Sequence, residues 1–355
     1  MEFQDLQHKE WRKFYIPEAV CAFGGDYCIH VKKGDPKRLI FYLCGGGVSW
    51  CRESAMWPSC AETENTYHHV GLYTITADPQ PEIMSIQTGE QNGIHSTTGE
   101  NPFADWSEIM VPYVTADFHA GAGDLSFTGA DGQEHILHHQ GYTNLQKILL
   151  HARELFPEVE HLLICGESAG AFGVTAVAGD IMEAFPACPD VTILCDSAMV
   201  PYADWANTAK ELWQSPHHIA EAVHSDNITL DWFKALYAKY GDRPRYLFSC
   251  GCRDHVLMLF WHYAVDGQFI LEASFGEAFR ENLRSMCREL KELSPRFGLY
   301  IHDFMKEELS PGVQHCVFGN ESYTHRDMHG ITPVAWLSDA MNGKVYDVGL
   351  ELLEN

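Results

Sequence analysis

The chain has 355 residues, of which 46% are hydrophobic and 21% are charged, a balance typical of globular proteins and too apolar for an extended disordered chain. Its formal net charge of −25 at pH 7 disfavours nucleic acid as a partner, because an acidic surface repels phosphate. An uninterrupted apolar run of about 18 residues is absent from the sequence, which therefore predicts no membrane-spanning segment and no membrane partner.

The amino-terminal residues and the cysteines indicate a reducing compartment. Residues 1–15 are charged and lack the apolar core of a secretory signal, which predicts a cytoplasmic protein. Twelve cysteines are scattered along the chain, several of them in apolar runs, where a free cysteine behaves as a small hydrophobe. We expect reduced thiols, although Cys51 and Cys60 are near enough in sequence to pair, and the sequence leaves that pairing open.

Short apolar runs alternate with helical patterns along the chain, which predicts an α/β fold with a mainly parallel sheet covered by helices. The first two predicted strands, 27–31 and 39–43, are joined by residues 32–37, which predict a hairpin. Apolar residues recur at helical spacing over 145–156, and residues 279–293 also have a helical pattern. The other predicted strands are 109–114, 162–165, 191–195, 246–250 and 299–301.

Two segments interrupt this alternation and predict insertions. Residues 52–101 are polar and aromatic with little periodicity, whereas residues 198–240 have helical character and include Trp205 and Trp213. Connections of such length are uncommon and often carry function. We expect a single domain over residues 1–355, with both insertions forming a rim or cap above it.

The strongest functional signal is Gly166-Glu167-Ser168-Ala169-Gly170, which lies between a predicted strand and a predicted helix of small residues. G-x-S-x-G in that position is the pattern of a nucleophile elbow, a sharp turn that exposes the serine. The positive end of the helix dipole then favours negative charge beside it. The pattern predicts Ser168 as a nucleophile, and the alternative is a chance turn rich in glycine and serine.

Three glycines, Gly45, Gly46 and Gly47, follow the predicted strand 39–43. Such a loop leaves its backbone N–H groups uncovered and supplies one half of an oxyanion hole, while the residue after the nucleophile supplies the other half. The pattern predicts Gly46, Gly47 and Ala169 as the donors. A flexible turn and a phosphate loop are the alternatives, and the second is disfavoured because no G-K-[ST] follows.

A serine nucleophile needs a histidine base and an acid that orients the base, and this motif has the chain order Ser, acid, His. The acid is expected after a late strand, and Asp254 follows the predicted strand 246–250. Asp196, after the strand 191–195, is the rival acid. Its alternative role is to hold the strand end through local bonds from its side chain to the backbone. The sequence favours Asp254 as the acid.

The base is expected after the last predicted strand, where four histidines lie. His315 sits in a turn that leads into apolar residues, which can present its ring at a cleft, whereas His302 belongs in or at the end of the strand. His325 and His329 flank an Arg-Asp pair and have the pattern of solvated residues. Because the chain has 20 histidines, spacing alone leaves His315 as one candidate among several.

As a set, these motifs resemble the pectin acetylesterase/Notum family of serine hydrolases, in the family's order from about residue 20 to residue 350. The resemblance implies an α/β-hydrolase fold and ester hydrolysis without a metal or another cofactor. The similar stretches are 20–27, 45–47 with Trp50, 101–106, 112–119 with Gly121, 141–144, 166–170, 196–197, 315–316, Tyr323, Gly330 and Trp336. The roles that it implies are Ser168 as nucleophile, Asp254 as acid, His315 as base, and Gly46, Gly47 and Ala169 as oxyanion donors.

Two aromatic residues are candidates for contacting the acyl group of a substrate. Phe172 lies one helical turn beyond Ser168 and is expected on the same face of the helix, where it either limits the acyl pocket or packs as ordinary core. Trp50 lies just after the glycine loop and is expected to bring a second large ring to the pocket. Two bulky rings predict a preference for acetyl esters over long-chain esters.

Asp117 and His119 are interpreted as cleft residues that hydrogen-bond a sugar. With His135, His138 and His139 they also offer the ligand types of a metal-dependent deacetylase. Metal ligands must converge in space, which a sequence does not show, and the serine machinery is complete without a metal. We therefore expect no metal.

We expect a serine esterase that removes O-acetyl groups from a carbohydrate or small glycoside. The alternatives are a longer-chain acyl or lipid deacylase of the Notum type and a non-catalytic binding protein on a hydrolase scaffold. The expected partner is a small-molecule or oligosaccharide ester, and the net charge of −25 disfavours a polyanion such as demethylated pectin. The sequence leaves the acyl group, the alcohol and the oligomeric state open.

Overall fold

The described residues form a large central sheet and a small hairpin beside it. The computed structural model describes residues 5–56, 92–98, 100–129, 132–268 and 270–354. The strands of the central sheet are β1 Trp11–Val20, β2 Asp26–Lys32, β3 Asp35–Leu43, β4 Trp106–Val111, β7 His161–Glu167, β8 Asp190–Asp196, β9 Arg245–Gly251 and β10 Gly298–His302. The hairpin consists of β5 Gly123–Thr128 and β6 Glu134–His139.

The central sheet has eight strands in the order β1-β2-β4-β3-β7-β8-β9-β10. The six strands from β4 to β10 in that order run parallel, whereas β1 and β2 are antiparallel to their neighbours. Residues 39–43 of β3 and 162–167 of β7 are buried throughout, because helices cover both faces of the sheet. The predicted mainly parallel sheet is confirmed.

The longer helices of the described residues are α1 Gly141–Leu155, α2 Ala169–Ala184, α3 Ile228–Tyr240, α4 His255–Asp266, α5 Ala273–Leu293 and α6 Pro333–Met341. Short helical turns are Arg52–Ala55, Gly93–His95, Trp205–Asn207, Thr208–Leu212, His217–Ala220, Glu321–Thr324 and Leu350–Leu353. None of the helices described here combines the length and the apolar character that crossing a membrane would require.

The predicted hairpin at residues 32–37 is wrong, because β4 lies between β2 and β3. The segment between β2 and β3 instead passes close to the start of β4. A Cβ atom on Gly34 would lie 2.4 Å from the carbonyl carbon of Trp106, and the backbone N–H of Gly34 donates to the Ser107 hydroxyl at 3.1 Å. The edge strand β1 and the β5–β6 hairpin were also not predicted from the sequence.

The two predicted insertions differ in what the structure describes of them. Most of the first, residues 57–91 and residue 99, lies outside the described residues. In the second, the short helical turns precede α3, which packs on α2: the Tyr240 hydroxyl donates to the Gly179 carbonyl at 3.2 Å. This half of the second insertion therefore belongs to the helical layer that flanks the sheet.

Eleven cysteines belong to the described residues, and no disulfide joins any two of these eleven. Ten of them are buried, and Cys51 is half-buried. Cys60 lies outside the described residues, so the pairing of Cys51 with Cys60 stays open.

Candidate active site

The carboxyl ends of four neighbouring parallel strands carry the candidate catalytic residues. The glycine loop follows β3, Ser168 follows β7, Asp196 ends β8, and Asp254 comes shortly after β9. Because these strands are adjacent and parallel, the segments that follow them meet at one edge of the sheet, as is usual for ligand sites in α/β folds.

Ser168 occupies a sharp turn between β7 and α2. Its φ of 51° and ψ of −126° lie in a region that residues other than glycine rarely adopt. Backbone hydrogen bonds hold this conformation: the Ser168 N–H donates to the Asp196 carbonyl at 2.9 Å, and the Ser168 carbonyl accepts from the Ala171 N–H at 2.9 Å. Strand, strained serine and helix together form the predicted nucleophile elbow.

The glycines on both sides of Ser168 are required by a close approach to β3. A Cβ atom on Gly166 would lie 2.7 Å from the carbonyl oxygen of Leu43, and one on Gly170 would lie 2.0 Å from the same atom. Neither position has room for a side chain. The G-x-S-x-G pattern therefore reflects contact between the elbow and the end of β3.

The glycine loop lies against the elbow. A Cβ atom on Gly45 would be 2.8 Å from the Cβ of Ser168 and 3.5 Å from the backbone nitrogen of Ala169. Gly47 has a φ of 83°, which favours glycine, and it lines the same pocket as Ser168 and Ala169. The structure thus brings together the segments that contain the predicted oxyanion donors Gly46, Gly47 and Ala169.

His315 and Asp254 form a direct pair. The Nδ1–H of His315 donates to both carboxylate oxygens of Asp254, at 2.9 Å to Oδ1 and 2.8 Å to Oδ2. Asp254 also caps α4, since its Oδ1 accepts from the backbone N–H groups of Val256 and Leu257 at 3.1 and 3.0 Å. A proton on Nδ1 leaves Nε2 of His315 as an acceptor, and this atom is buried without a hydrogen-bond partner among the described residues.

The contact between Asp254 and His315 lowers the pKa of Asp254 and raises the pKa of His315, as general-base catalysis by His315 requires. Burial opposes the charged form of Asp254, but the adjacent His315 ring and the helix N–H groups outweigh it and hold the pKa of Asp254 below its usual value. Burial likewise opposes protonation of His315, but the Asp254 carboxylate outweighs it and raises the pKa of His315. Asp254 is therefore ionised at neutral pH and stabilises a protonated ring.

Among the described residues, the carboxylate of Asp196, the rival acid, makes no hydrogen bond with the His315 ring. Its Oδ2 accepts from the backbone N–H groups of Val317 and Phe318 at 2.8 and 3.1 Å. The other role expected of Asp196 was to bond the backbone near it in sequence at the end of the strand. That expectation is also wrong, because the two backbone partners lie more than 120 residues away along the chain. Burial raises the pKa of Asp196 to about 6, although the backbone donors partly offset it.

The other candidate bases have different surroundings. His302 is the buried last residue of β10, and burial lowers its pKa to about 4. His329 is exposed and pairs with Glu351 at 2.6 Å, and the exposed His325 contacts the Phe304 ring. Of the four candidate histidines, His315 is the one that pairs with a fully buried carboxylate, that of Asp254.

An apolar pocket opens beside Ser168, with a volume of about 30 Å³ open to the centre of a water molecule. Phe172 lines the pocket and stacks on Phe118, with 4.2 Å between ring centroids. Apart from Ser168, every lining side chain is apolar or aromatic. Of the two interpretations of Phe172, the structure supports the pocket wall. Further aromatic residues in the lining are Trp50, Trp205 and Phe260.

The interpretation of Asp117 and His119 as sugar-binding cleft residues is wrong, because both are buried. Protein groups satisfy the Asp117 carboxylate: Oδ1 accepts from the Thr115 hydroxyl at 2.7 Å, and Oδ2 accepts from the Gly141 N–H at 2.7 Å. Nε2 of His119 lies 3.1 Å from the Cys44 carbonyl oxygen and holds the start of the glycine loop from behind. Burial lowers the pKa of His119 to about 4, so the ring is neutral.

The alternative metal site does not assemble. His138 pairs with Asp124 at 2.8 Å, His135 stacks on Phe127, and Nε2 of His139 bonds the Ser49 hydroxyl at 2.7 Å. Within the described part of the chain, the one group with metal-ligand spacing contains none of these histidines; it is Glu167, Asp196 and Cys316.

Several residues of the site were not predicted from the sequence. Phe118, Trp205 and Phe260 wall the pocket, and they come from three separate segments of the chain. Phe260 carried a usable signal, since it lies in an apolar helix that begins directly after Asp254. Phe118 and Trp205 carried none, because aromatic residues outside a clear period are as compatible with core as with a pocket.

Comparisons with known proteins identify the family and the fold of the chain. A family model described as pectinacetylesterase matches residues 12–227. A solved structure of the Wnt deacylase Notum from Drosophila aligns with a TM-score of 0.66 at 14% identity, covering 94% of this chain and 93% of that chain. This likeness confirms the predicted α/β-hydrolase fold. No curated protein sequence matches the chain.

Proposed function

The chain belongs to the pectinacetylesterase family and is an esterase of carboxylic esters, and we propose that it removes short acyl groups, chiefly acetyl, from a carbohydrate or small glycoside. The observation that carries the proposal is the apolar pocket beside Ser168. Its lining offers no charged side chain to recognise a sugar, so it suits the acyl part of an ester, with the alcohol part left at the mouth.

The proposed reaction proceeds through an acyl-enzyme. Nε2 of His315 takes the hydroxyl proton of Ser168 while Oγ attacks the ester carbonyl carbon. Asp254 keeps the proton of His315 on Nδ1 and stabilises the imidazolium. The N–H groups of Gly46, Gly47 and Ala169 stabilise the oxyanion, and one such donor is typically worth about 3 kcal/mol of barrier.

Collapse of the first tetrahedral intermediate releases the alcohol, which receives the proton from His315. Water then attacks the acyl carbonyl, and His315 removes one of its protons. Collapse of the second intermediate returns that proton to Ser168 and releases the carboxylic acid. Each half-reaction leaves His315 neutral, as it was at the start.

The walls of the pocket support the short acyl group. The stacked rings of Phe118 and Phe172 stand beside Ser168, and Trp50 contributes a third ring. Trp50 is itself fixed by ring contacts with Phe260 and Tyr263 at centroid distances of 6.2 and 5.5 Å. Packed rings resist displacement, because protein interiors are close-packed. They therefore limit how far an acyl chain extends.

A longer-chain deacylase is the second candidate, and the continuous apolar lining favours it. The α4 residues Val256, Leu257, Phe260 and Ala264 add further apolar side chains to the lining, which suits contact with a longer acyl chain. The small space of the pocket, with about 30 Å³ open to the centre of a water molecule, favours the shorter acyl group instead. Acyl length is thus the property that separates the two candidates.

A chain-length series of p-nitrophenyl esters, from acetyl to decanoyl, tests the proposal. We expect the highest kcat/KM for acetyl and butyryl esters and a steep decline by octanoyl. Octanoyl turnover equal to or above acetyl turnover would favour the longer-chain candidate. Acetylated oligosaccharides should then compete with p-nitrophenyl acetate, which tests the carbohydrate part of the proposal separately. The Ser168→Ala variant serves as the background for every substrate.

A further inference from the structure

Three consecutive backbone N–H groups directly after His315 are bound by one dipeptide. The N–H of Cys316 donates to the Ser197 hydroxyl at 3.1 Å. The next two N–H groups, of Val317 and Phe318, donate to Oδ2 of Asp196 at 2.8 and 3.1 Å. We call Asp196 and Ser197 the loop clamp. It holds the peptide that follows the proposed base along a length of three residues.

The same clamp also holds the nucleophile. The backbone carbonyl of Asp196 accepts from the Ser168 N–H at 2.9 Å. The clamp is anchored in turn on β9, because the Ser197 N–H donates to the Ser249 carbonyl at 2.8 Å. One dipeptide at the end of β8 therefore connects the nucleophile elbow to the histidine loop.

The backbone at this junction needs such restraint. Ser168, Ser197 and Cys316 have φ values of 51°, 66° and 55°, in the left-handed region that non-glycine residues avoid. A residue in this region is strained and persists only when its surroundings over-determine it. Two of the three strained residues are joined directly by the bond from Cys316 to Ser197.

The clamp is shielded from water, which strengthens its bonds. Asp196 is 1% exposed, and Ser197 is fully buried. Glu167 and Cys316 are titratable neighbours of the Asp196 carboxylate, and one polar atom from each of the three residues lies within 4.8 Å of the others. In such surroundings an unpaired backbone N–H is costly, so the loop has a strong preference for the clamped arrangement.

We propose that Asp196 and Ser197 are positioning residues, which hold Nε2 of His315 in reach of Ser168 by fixing the backbone that follows the histidine. Asp254 fixes the ring from one side through Nδ1, and the clamp fixes the main chain from the other. The inference rests on the proposed roles of Ser168 and His315. A misplacement of about 1 Å at a catalytic group can cost about 100-fold in rate, so the clamp acts on catalysis without touching substrate.

Asp196 also acts on His315 through its charge. The titratable groups that face the His315 ring are Asp254, Asp196, His302 and His255. Besides Asp254, the carboxylate of Asp196 contributes to raising the pKa of His315. Removing the Asp196 charge therefore lowers the pKa of His315, an effect that a purely structural residue would not have.

The experiment compares Asp196→Ala, Asp196→Asn and Ser197→Ala with the wild type, using p-nitrophenyl acetate from pH 5 to pH 9. Asp196→Asn keeps one oxygen that accepts both N–H groups and removes only the charge, whereas Asp196→Ala removes the acceptor as well. Active-site titration with a fluorophosphonate normalises the rates to folded sites. The matched control is Asp231→Asn in α3, since Asp231 is another buried carboxylate that accepts two backbone N–H groups, from His224 and Ser225 at 2.7 and 2.6 Å. Ser168→Ala reports separately on the proposed mechanism.

We expect Asp196→Ala to lower kcat per titrated site by about 10- to 100-fold, with KM changed less than threefold, and Asp196→Asn to keep kcat within about threefold of the wild type. The acidic limb of both Asp196 variants should move to lower pH, whereas Asp231→Asn should keep the wild-type midpoint and kcat. Ser197→Ala removes one bond and should lower kcat by about 3- to 10-fold; it carries the test if Asp196→Ala does not fold. Wild-type kcat per site in folded Asp196→Ala and Ser197→Ala would overturn the inference. Activity in Ser168→Ala would instead overturn the proposed function.

Discussion

Replacement of Asp254 by asparagine tests the proposed acid, because the structure dictates how the amide must sit. Oδ1 of Asp254 accepts from two backbone N–H groups of α4, those of Val256 and Leu257. In the Asp254→Asn variant the amide oxygen must take that place, since an amide NH₂ cannot accept. The NH₂ group then lies at the Oδ2 position, 2.8 Å from Nδ1 of His315 in the native site.

An NH₂ group at that position donates, so the ring must accept at Nδ1 and carry its proton on Nε2. The tautomer with a proton on Nε2 cannot take a proton from Ser168. We expect kcat to fall by about 10³–10⁴-fold. This loss corresponds to about 4–5.5 kcal/mol of transition-state stabilisation. Helix capping should persist, because asparagine caps about as well as aspartate.

The assay is kcat for p-nitrophenyl acetate per titrated site, with circular dichroism as the check on folding. Asp231→Asn again provides a matched control, since it alters a buried carboxylate outside the site. A folded Asp254→Asn variant with kcat within 10-fold of the wild type would refute the assignment of Asp254 as the acid and reopen the question for other carboxylates.

Three further predictions concern the base, the pocket and the elbow. First, kcat/KM should rise with increasing pH, and the midpoint of that rise should lie above about pH 6.5, because His315 must be neutral to act as base and its pKa is raised in the folded protein. A midpoint well below pH 6 would contradict this role. Second, Phe172→Ala should shift the ester preference towards longer acyl chains. The ratio of kcat/KM between long and short esters should change by ~1–3 kcal/mol for each methylene that the enlarged pocket accepts. An unchanged ratio would place Phe172 in the core instead. Third, Gly170→Ala should disrupt the elbow, because its Cβ would lie 2.0 Å from the Leu43 carbonyl oxygen; wild-type melting temperature and activity would count against this packing.

The parts of the fold that the sequence predicted share a physical cause. Strands such as β3 and β7 are buried on both faces, so they appear as continuous apolar runs. The edge strand β1 has mixed exposure and no such run, and it was not predicted. The order of strands across the sheet depends on contacts between distant segments, which explains why the hairpin at residues 32–37 was wrong.

The candidate site also contains residues that the sequence predicted and residues that it could not predict. Ser168 was predictable because its glycines are a local steric requirement. Asp254 and His315 lie 61 residues apart, so spacing alone could not pair them. Asp117 and His119 were misinterpreted because their polarity is visible in the sequence but their burial is not. The cytoplasmic location stays a prediction.

The central claim is that Ser168 becomes acylated during turnover. Intact-protein mass spectrometry after treatment with a fluorophosphonate, followed by peptide mapping, tests it directly. We expect one adduct per chain, located on Ser168, together with loss of esterase activity in proportion to labelling. Ser168→Ala should take up no label and should lose about 10⁴-fold or more in kcat while keeping its fold. Labelling at another residue, or full esterase activity in folded Ser168→Ala, would contradict the account.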